Sequence, residues 1–237
     1  AHVNGKLCAL TEQLNCDADV ELLTFADADG KHIFRHTASH ILAQAVKRLY
    51  PEAKLAIGPS IESGFYYDFD IESLDRDALD NIEKEMKKIA KDGKRIVREE
   101  ISKEEALAKF ANDPYKVDLI SRMDESEQVI SCYSQGDFTD LCRGPHVESV
   151  KLIKNFKLLK VSGAYFKGDS KNKMLQRIYG VCYETEEDLN EHLKEIEEAK
   201  LKECARDLFA EKKERMMSVD NKIKAINLKI ARLGIHD

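Results

Sequence analysis

Three features of this 237-residue sequence predict an α+β fold, with antiparallel sheet packed on helices and a long charged C-terminal helix. Apolar residues recur at helical spacing in two blocks, 34–49 and 75–92. Runs rich in β-branched, aromatic and Cys residues, at 65–70, 128–142 and 156–182, read as strands. Thr185-Glu186-Glu187-Asp188 resembles a capping box and opens the charged final stretch. A composition of 43% apolar residues is enough for a real core, while 15 Gly and Pro together exclude a collagenous or low-complexity chain. No window approaches 18 consecutive apolar residues, and no signal peptide is visible, so a soluble, cytoplasmic protein without a membrane partner is expected. The six cysteines are irregularly spaced in a chain that is not small, which favours reduced thiols over a disulfide framework.

In order along the chain, residues 1–30 hold short apolar runs broken by Asn4-Gly5 and by Asp27-Ala28-Asp29-Gly30, both read as turns. This strand-rich piece is too short to bury a core alone and is expected to pack on the residues C-terminal to it or to be the remnant of a larger module. Phe34 to Leu49 reads as an amphipathic helix with Ile41, Leu42, Ala45 and Leu49 on its apolar face, stopped by Pro51. After a Gly58-Pro59 turn comes the aromatic strand Phe65-Tyr66-Tyr67-Asp68-Phe69-Asp70. Residues 75–92 carry Leu79, Ile82, Met86 and Ile89 at spacings of 3, 4 and 3, and Gly93 supplies the stop. Lys94 to Glu99 reads as a short strand, and the capping box Ser102-Lys103-Glu104-Glu105 opens a helix through Phe110. In the tail, Phe209, Met216, Ile223 and Ile230 lie seven apart, with Val219, Ile226 and Leu233 interleaved. That stripe suits a core-facing helix, a helical hairpin or a dimeric coiled coil.

The net charge of −6 argues against non-specific coating of nucleic acid. Locally the picture reverses, because Lys151 to Gly180 carries eight positive residues and one negative, a net +7 in thirty residues. Such a segment is either a solvated lysine face or a phosphate-contacting surface.

Two short motifs could carry chemistry. His36 and His40 stand four apart on a helix, so both imidazoles leave one face and can converge on a metal, a water or a substrate. Cys142-Arg143-Gly144-Pro145-His146 cannot be regular helix and reads as a turn presenting a thiol and an imidazole. Together the four side chains suit tetrahedral zinc, or they act without metal as bases and hydrogen-bonding groups around a hydrolytic water. Around them, Lys116 is a candidate for stabilising a developing oxyanion and Asp140 for orienting an imidazole, with Tyr67 and Asp68 in the aromatic strand.

At this point five motifs, in order, resemble one family. They are Arg35-His36-Thr37-Ala38-Ser39-His40, Ala56-Ile57-Gly58-Pro59, Gly64-Phe65-Tyr66-Tyr67-Asp68, Asp140-Leu141-Cys142-Arg143-Gly144-Pro145-His146 and the run from Gly168 to Gly180. The chain resembles the N-terminal editing domain of bacterial threonyl-tRNA synthetases, from about residue 1 to 200. The alanyl-tRNA synthetase editing domain shares the His and Cys-His elements, but the Gly-Phe-Tyr-Tyr-Asp run points to the threonyl branch. The resemblance implies residues 1–30 as part of a small ubiquitin-like (TGS) domain, 31–184 as the editing (second additional) domain and 185–237 as a helical linker or tail.

It further implies hydrolysis of the ester in seryl-tRNA(Thr), with threonyl-tRNA(Thr) spared. His36, His40, Lys116, Cys142 and His146 would be catalytic, Tyr67, Asp68 and Asp140 substrate-binding, and Lys167, Lys171, Lys173 and Arg177 would face tRNA. In alanyl relatives the four His and Cys residues bind zinc, whereas the threonyl branch is thought to need none, so no cofactor is required by this reading and zinc is the alternative. Expected partners are tRNA(Thr), the remainder of a synthetase and, through the C-terminal helix, a second copy of the chain. The residues after about 203 cannot supply a class II aminoacylation core, so no threonine activation is expected from this chain. The rival readings are a non-catalytic tRNA-binding appendage, a fragment of a full threonyl-tRNA synthetase, and a zinc-binding editing relative of the alanyl type.

Overall fold

The computed structural model describes residues 1–124 and 129–232, which divide into two units, Ala1–Leu189 and Asn190–Asp237. The α+β expectation holds, and among the described residues all strand pairing is antiparallel and distributed over three sheets. Strands β1 (His2–Val3), β2 (Lys6–Leu7) and β3 (Val20–Glu21) form a small sheet in the order β2-β1-β3. Asn4 and Gly5 both take positive φ in the β1–β2 turn, as an Asn-Gly hairpin requires.

Helix α1 (Ala28–Leu49) begins six residues before the sequence pattern suggests, and the Asp27–Gly30 stretch is its first turn and not a loop. The Asp27 carboxylate turns back to accept the Thr24 N–H and hydroxyl at 2.7 and 3.0 Å. Gly30 is there for clearance, since a Cβ would stand 1.8 Å from the Thr24 carbonyl oxygen. Strands β4 (Lys54–Leu55), β5 (Ser60–Ile61) and β6 (Gly64–Asp70) come next, then α2 (Arg76–Asp92). The latter is capped by Asp75 and ended by Gly93 at φ 64°. Its Leu79, Ile82, Met86 and Ile89 are all buried, as their spacing predicts.

Next come β7 (Ile96–Ser102), α3 (Lys103–Lys109) with the full Ser102–Glu105 capping box, and α4 (Pro114–Ser121). Helix α4 is absent from the sequence reading. Its signal was an Asp-Pro start, with the Asp113 side chain accepting the Tyr115 N–H at 3.1 Å. Strands β8 (Val129–Gln135) and β9 (Phe138–Leu141) complete a sheet in the order β7-β8-β9. The long hairpin β10 (Asn155–Tyr165) and β11 (Met174–Tyr183) joins β6 and β4 in the order β10-β11-β6-β4, with β5 also on β6. The inner face of this sheet, with Phe65, Tyr67, Phe69, Leu158 and Ile178, meets α1 and α2 in the main core.

Helix α5 (Glu186–Arg232) starts where the Thr185 motif predicts, the Asp188 N–H donating to the Thr185 hydroxyl at 3.1 Å. From Glu197 onward its described side chains are exposed, including Phe209, Met216, Val219, Ile223 and Ile226 of the heptad stripe. Leu233 and the side chain of Ile230 lie outside the described residues. Among the described residues no helix is long and apolar enough to cross a membrane, and all six cysteines are free.

Candidate functional site

Helix α1 presents His36 and His40 one turn apart, with ring centroids 4.9 Å from each other. The loop after β9 brings Cys142 and His146 onto the same face. Its course depends on Gly144, at φ 63°, where a Cβ would lie 2.0 Å from the Tyr133 hydroxyl. His36 Nε2 reaches Cys142 Sγ at 2.8 Å, and His146 Nε2 lies 3.3 Å from the same sulfur. The Gly144 N–H donates to that sulfur at 3.1 Å. His146 stacks on His36 at 4.6 Å and lies 4.2 Å from His40, so the two motifs expected to combine do so.

Hydrogen bonds behind the rings set their orientation. His36 Nδ1 faces the Gly58 carbonyl oxygen at 3.1 Å; because a carbonyl only accepts, Nδ1 carries the proton and Nε2 is the bare nitrogen. The Ser39 hydroxyl donates to the same carbonyl at 2.6 Å. On the far side, Thr37 Oγ1 lies 3.1 Å from His146 Nδ1 and accepts the Val147 N–H at 3.2 Å. Thr37, Ser39 and Gly58 escaped the sequence reading as functional residues. They sit inside the quoted motifs, but nothing local announces contacts across twenty to a hundred positions.

Burial lowers the pKa of His36, and takes His40 and His146 well below the ordinary histidine value, with neighbouring imidazoles adding to the effect. All three are neutral bases at pH 7. The Cys142 thiol is pushed up to about 12 by burial, partly offset by the Gly144 N–H, so it is protonated.

Lys116, Tyr67 and Asp140 form a second buried group beside the first. The Lys116 ammonium lies 2.5 Å from Asp140 Oδ1 and donates to the Tyr67 oxygen at 3.0 Å, while the Tyr67 hydroxyl donates to Asp140 Oδ2 at 2.6 Å. Asp140 is therefore held by Lys116 and Tyr67, and its nearest imidazole nitrogen, His40 Nε2, is 4.0 Å away, beyond hydrogen-bonding range. The atoms that face the ring Nδ1 positions belong instead to Gly58, beside His36, and Thr37, beside His146. Both groups line a cavity of about 400 Å³ bounded by His36, His40, Tyr67, Lys116, Asp140 and Cys142.

Asp68 is not in it. As the neighbour of Tyr67 in a strand it projects from the opposite face of the sheet, where it pairs in bidentate fashion with Arg177 at 2.7 and 2.8 Å. The basic segment is similarly engaged: Lys173 pairs with Asp70, Lys167 with Asp118 and Lys157 with Glu83. Four carboxylates from elsewhere in the chain thus neutralise four of its charges, which the local count could not anticipate. Lys171 is exposed, and Lys160 lies over the Tyr179 ring at 5.1 Å.

The ligand atoms of His36, His40, Cys142 and His146 all lie within 4.8 Å of one another. Tetrahedral zinc with one sulfur holds its donors about 3.5 Å apart. The donor set fits, with neutral imidazoles and Nδ1 partners of the kind that orient metal ligands. The 2.8 Å separation of His36 and Cys142 is a hydrogen-bond distance that zinc would have to widen.

Residues 130–179 match the family described as the threonyl and alanyl tRNA synthetase second additional domain. The threonine--tRNA ligase of Clostridioides difficile (strain 630) is 57% identical over 203 residues, covering 84% of this chain and 32% of that protein. Those of Clostridium tetani (strain Massachusetts / E88) and Finegoldia magna are 56% and 52% identical over the same shares. The chain spans about a third of the length of these curated relatives. The chain is therefore similar, over 84% of its length, to about a third of these threonine--tRNA ligases, and within that stretch it matches the second additional domain of threonyl and alanyl tRNA synthetases.

Proposed function

We propose that this chain edits mischarged tRNA by hydrolysing the ester of seryl-tRNA(Thr). The observation that carries the reading is a cavity lined on one side by neutral histidines and on the other by a buried lysine. In this mechanism a water held in the histidine cluster attacks the ester carbonyl and gives a proton to an imidazole. The tetrahedral oxyanion is stabilised by the Lys116 ammonium, fixed between Asp140 and Tyr67. Collapse breaks the ester bond, and the proton passes to the departing ribose oxygen. Were zinc bound, His36, His40, Cys142 and His146 would hold it and it would supply Lewis acidity to the water or carbonyl.

Selection of serine has a physical motive. One methyl changes affinity in an apolar pocket by only about 1–3 kcal/mol, a figure general among synthetases, so a second site is needed. Tyr67 and Asp140 bound the seryl group in this reading, and Lys160 and Lys171, two of the four cations of the basic segment outside these ion pairs, face tRNA(Thr) in the cytoplasm. Residues 1–30 are a partial ubiquitin-like module, 31–184 the editing domain and 185–237 a tail. The tail's heptad stripe supports a homodimer through α5, and sedimentation of a chain cut near residue 203 tests this: an unchanged oligomeric state rejects it.

The primary test is hydrolysis of seryl-tRNA(Thr) against threonyl-tRNA(Thr), with His36→Ala and a chelated sample alongside. Selective loss of the seryl ester, abolished by His36→Ala, is expected. A folded sample that hydrolyses neither ester supports the binding-appendage reading, and activity lost to chelation supports the zinc reading.

A further inference from the structure

We propose that Thr37 is a positioning residue for this site, its hydroxyl fixing the tautomer of His146 so that the Nε2 lone pair faces the Cys142 sulfur. The proposal rests on the editing reading for its catalytic consequence, though not for its structural one. Thr37 is fully buried, and its single hydroxyl proton is committed to the Ile33 carbonyl oxygen at 2.8 Å. The same oxygen accepts the Val147 N–H at 3.2 Å. With its proton spent, Thr37 meets His146 Nδ1, at 3.1 Å, only as an acceptor. Nδ1 must then carry the ring proton, which leaves Nε2 bare, 3.3 Å from Cys142 Sγ.

The consequence is an excess of acceptors. His36, held by Gly58, also turns a bare Nε2 to this sulfur, at 2.8 Å. Two lone pairs therefore converge on a thiol that has one proton, and the shorter contact assigns it to His36. The sulfur in turn accepts the Gly144 N–H. The His146 lone pair is left over, pointed into the cluster from behind. In the other tautomer an N–H would occupy that direction, and the histidine set would have lost one acceptor. Thr37 reaches His146 and Val147 together, so one hydroxyl fixes both the ring and the loop that carries it.

The test is ¹⁵N spectroscopy of the imidazole nitrogens, with His146 assigned by loss of its signals in His146→Gln. Wild type is expected to show a protonated Nδ1 and a bare Nε2. Thr37→Val, which keeps the volume and removes the hydroxyl, should shift His146 toward the other tautomer, and Thr37→Ser should restore it. If Thr37→Val does not fold, Thr37→Ala serves in its place. Hydrolysis of seryl-tRNA(Thr) should lose about 10- to 100-fold in kcat with KM unchanged, recovered in Thr37→Ser. A wild-type His146 protonated on Nε2, or ring shifts unmoved in Thr37→Val, would overturn the proposal. A wild type with the expected tautomer but no hydrolysis overturns the editing reading alone.

Discussion

Lys116 is buried at 3% exposure against Asp140 at 1%, and the cost of separating them sets its role. The two charges are buried against each other, and removing either partner leaves the other uncompensated. Lys116→Met is expected to destabilise the fold by about 3–5 kcal/mol and to lower hydrolysis at least 100-fold. The double variant with Asp140→Asn should recover stability in denaturant titration without recovering activity. Glu83 poses the same question away from the site. Burial raises its pKa, but the Leu158 N–H, Lys157 and Lys87 outweigh that and hold it below the ordinary glutamate value. Ionised Glu83 therefore stabilises the fold above the usual glutamate range, and that contribution disappears as pH falls through its lowered pKa. Thermal melts should find wild type losing more stability between pH 5 and 3 than Glu83→Gln does. At this scale the chemically distinctive residues were legible in the sequence: His36, His40, Cys142 and His146 meet because two motifs, each weak alone, share one pocket. Thr37 was not legible, since a threonine in a helix signals nothing until its partner 109 positions away is known.

Among the elements, α1 and α2 were readable from their apolar spacing, β6 from its aromatic run and α3 from its capping box. Helix α4 was missed because its eight residues are too few to display a period, leaving only its Asp113-Pro114 start. That start has a structural duty beyond capping. Asp113 accepts the Tyr115 N–H through one oxygen and the Leu55 N–H, at 2.7 Å, through the other, so it ties α4 to β4. Asp113→Ala is expected to cost about 1–2 kcal/mol. It should also raise KM or lower kcat through misplacement of Lys116, which steady-state kinetics would resolve from a purely global loss by the unchanged fold in circular dichroism. The turn assigned to Asp27–Gly30 failed for a related reason. Asp-Gly is a turn dipeptide on average, but here the glycine answers to clearance beside Thr24 within a helix.

For the molecule as a whole, charge was the property least visible in one dimension. The segment from Lys151 to Gly180 is strongly basic along the chain, yet Glu83, Asp68, Asp70 and Asp118 fold onto it. Binding of tRNA should accordingly depend on salt less steeply than the local charge suggests. Lys171→Ala is expected to reduce the log–log salt slope by about one and Lys173→Ala by less, as measured by filter binding across a salt series. The α+β class itself was readable, because alternation and helical periodicity occupy separate stretches. The pairing order of the sheets was not, since β6 joins β11 across more than a hundred residues. The same remoteness governs how the site comes into being. His36 and Cys142 are 106 residues apart in sequence. At translation rates of about 5–20 residues per second, the ribosome takes roughly 5–20 s to go from one to the other. For that interval α1 exists with its histidines facing no thiol, and a nascent chain halted before His146 owns the helix, the aromatic strand and the lysine but no complete histidine–cysteine cluster.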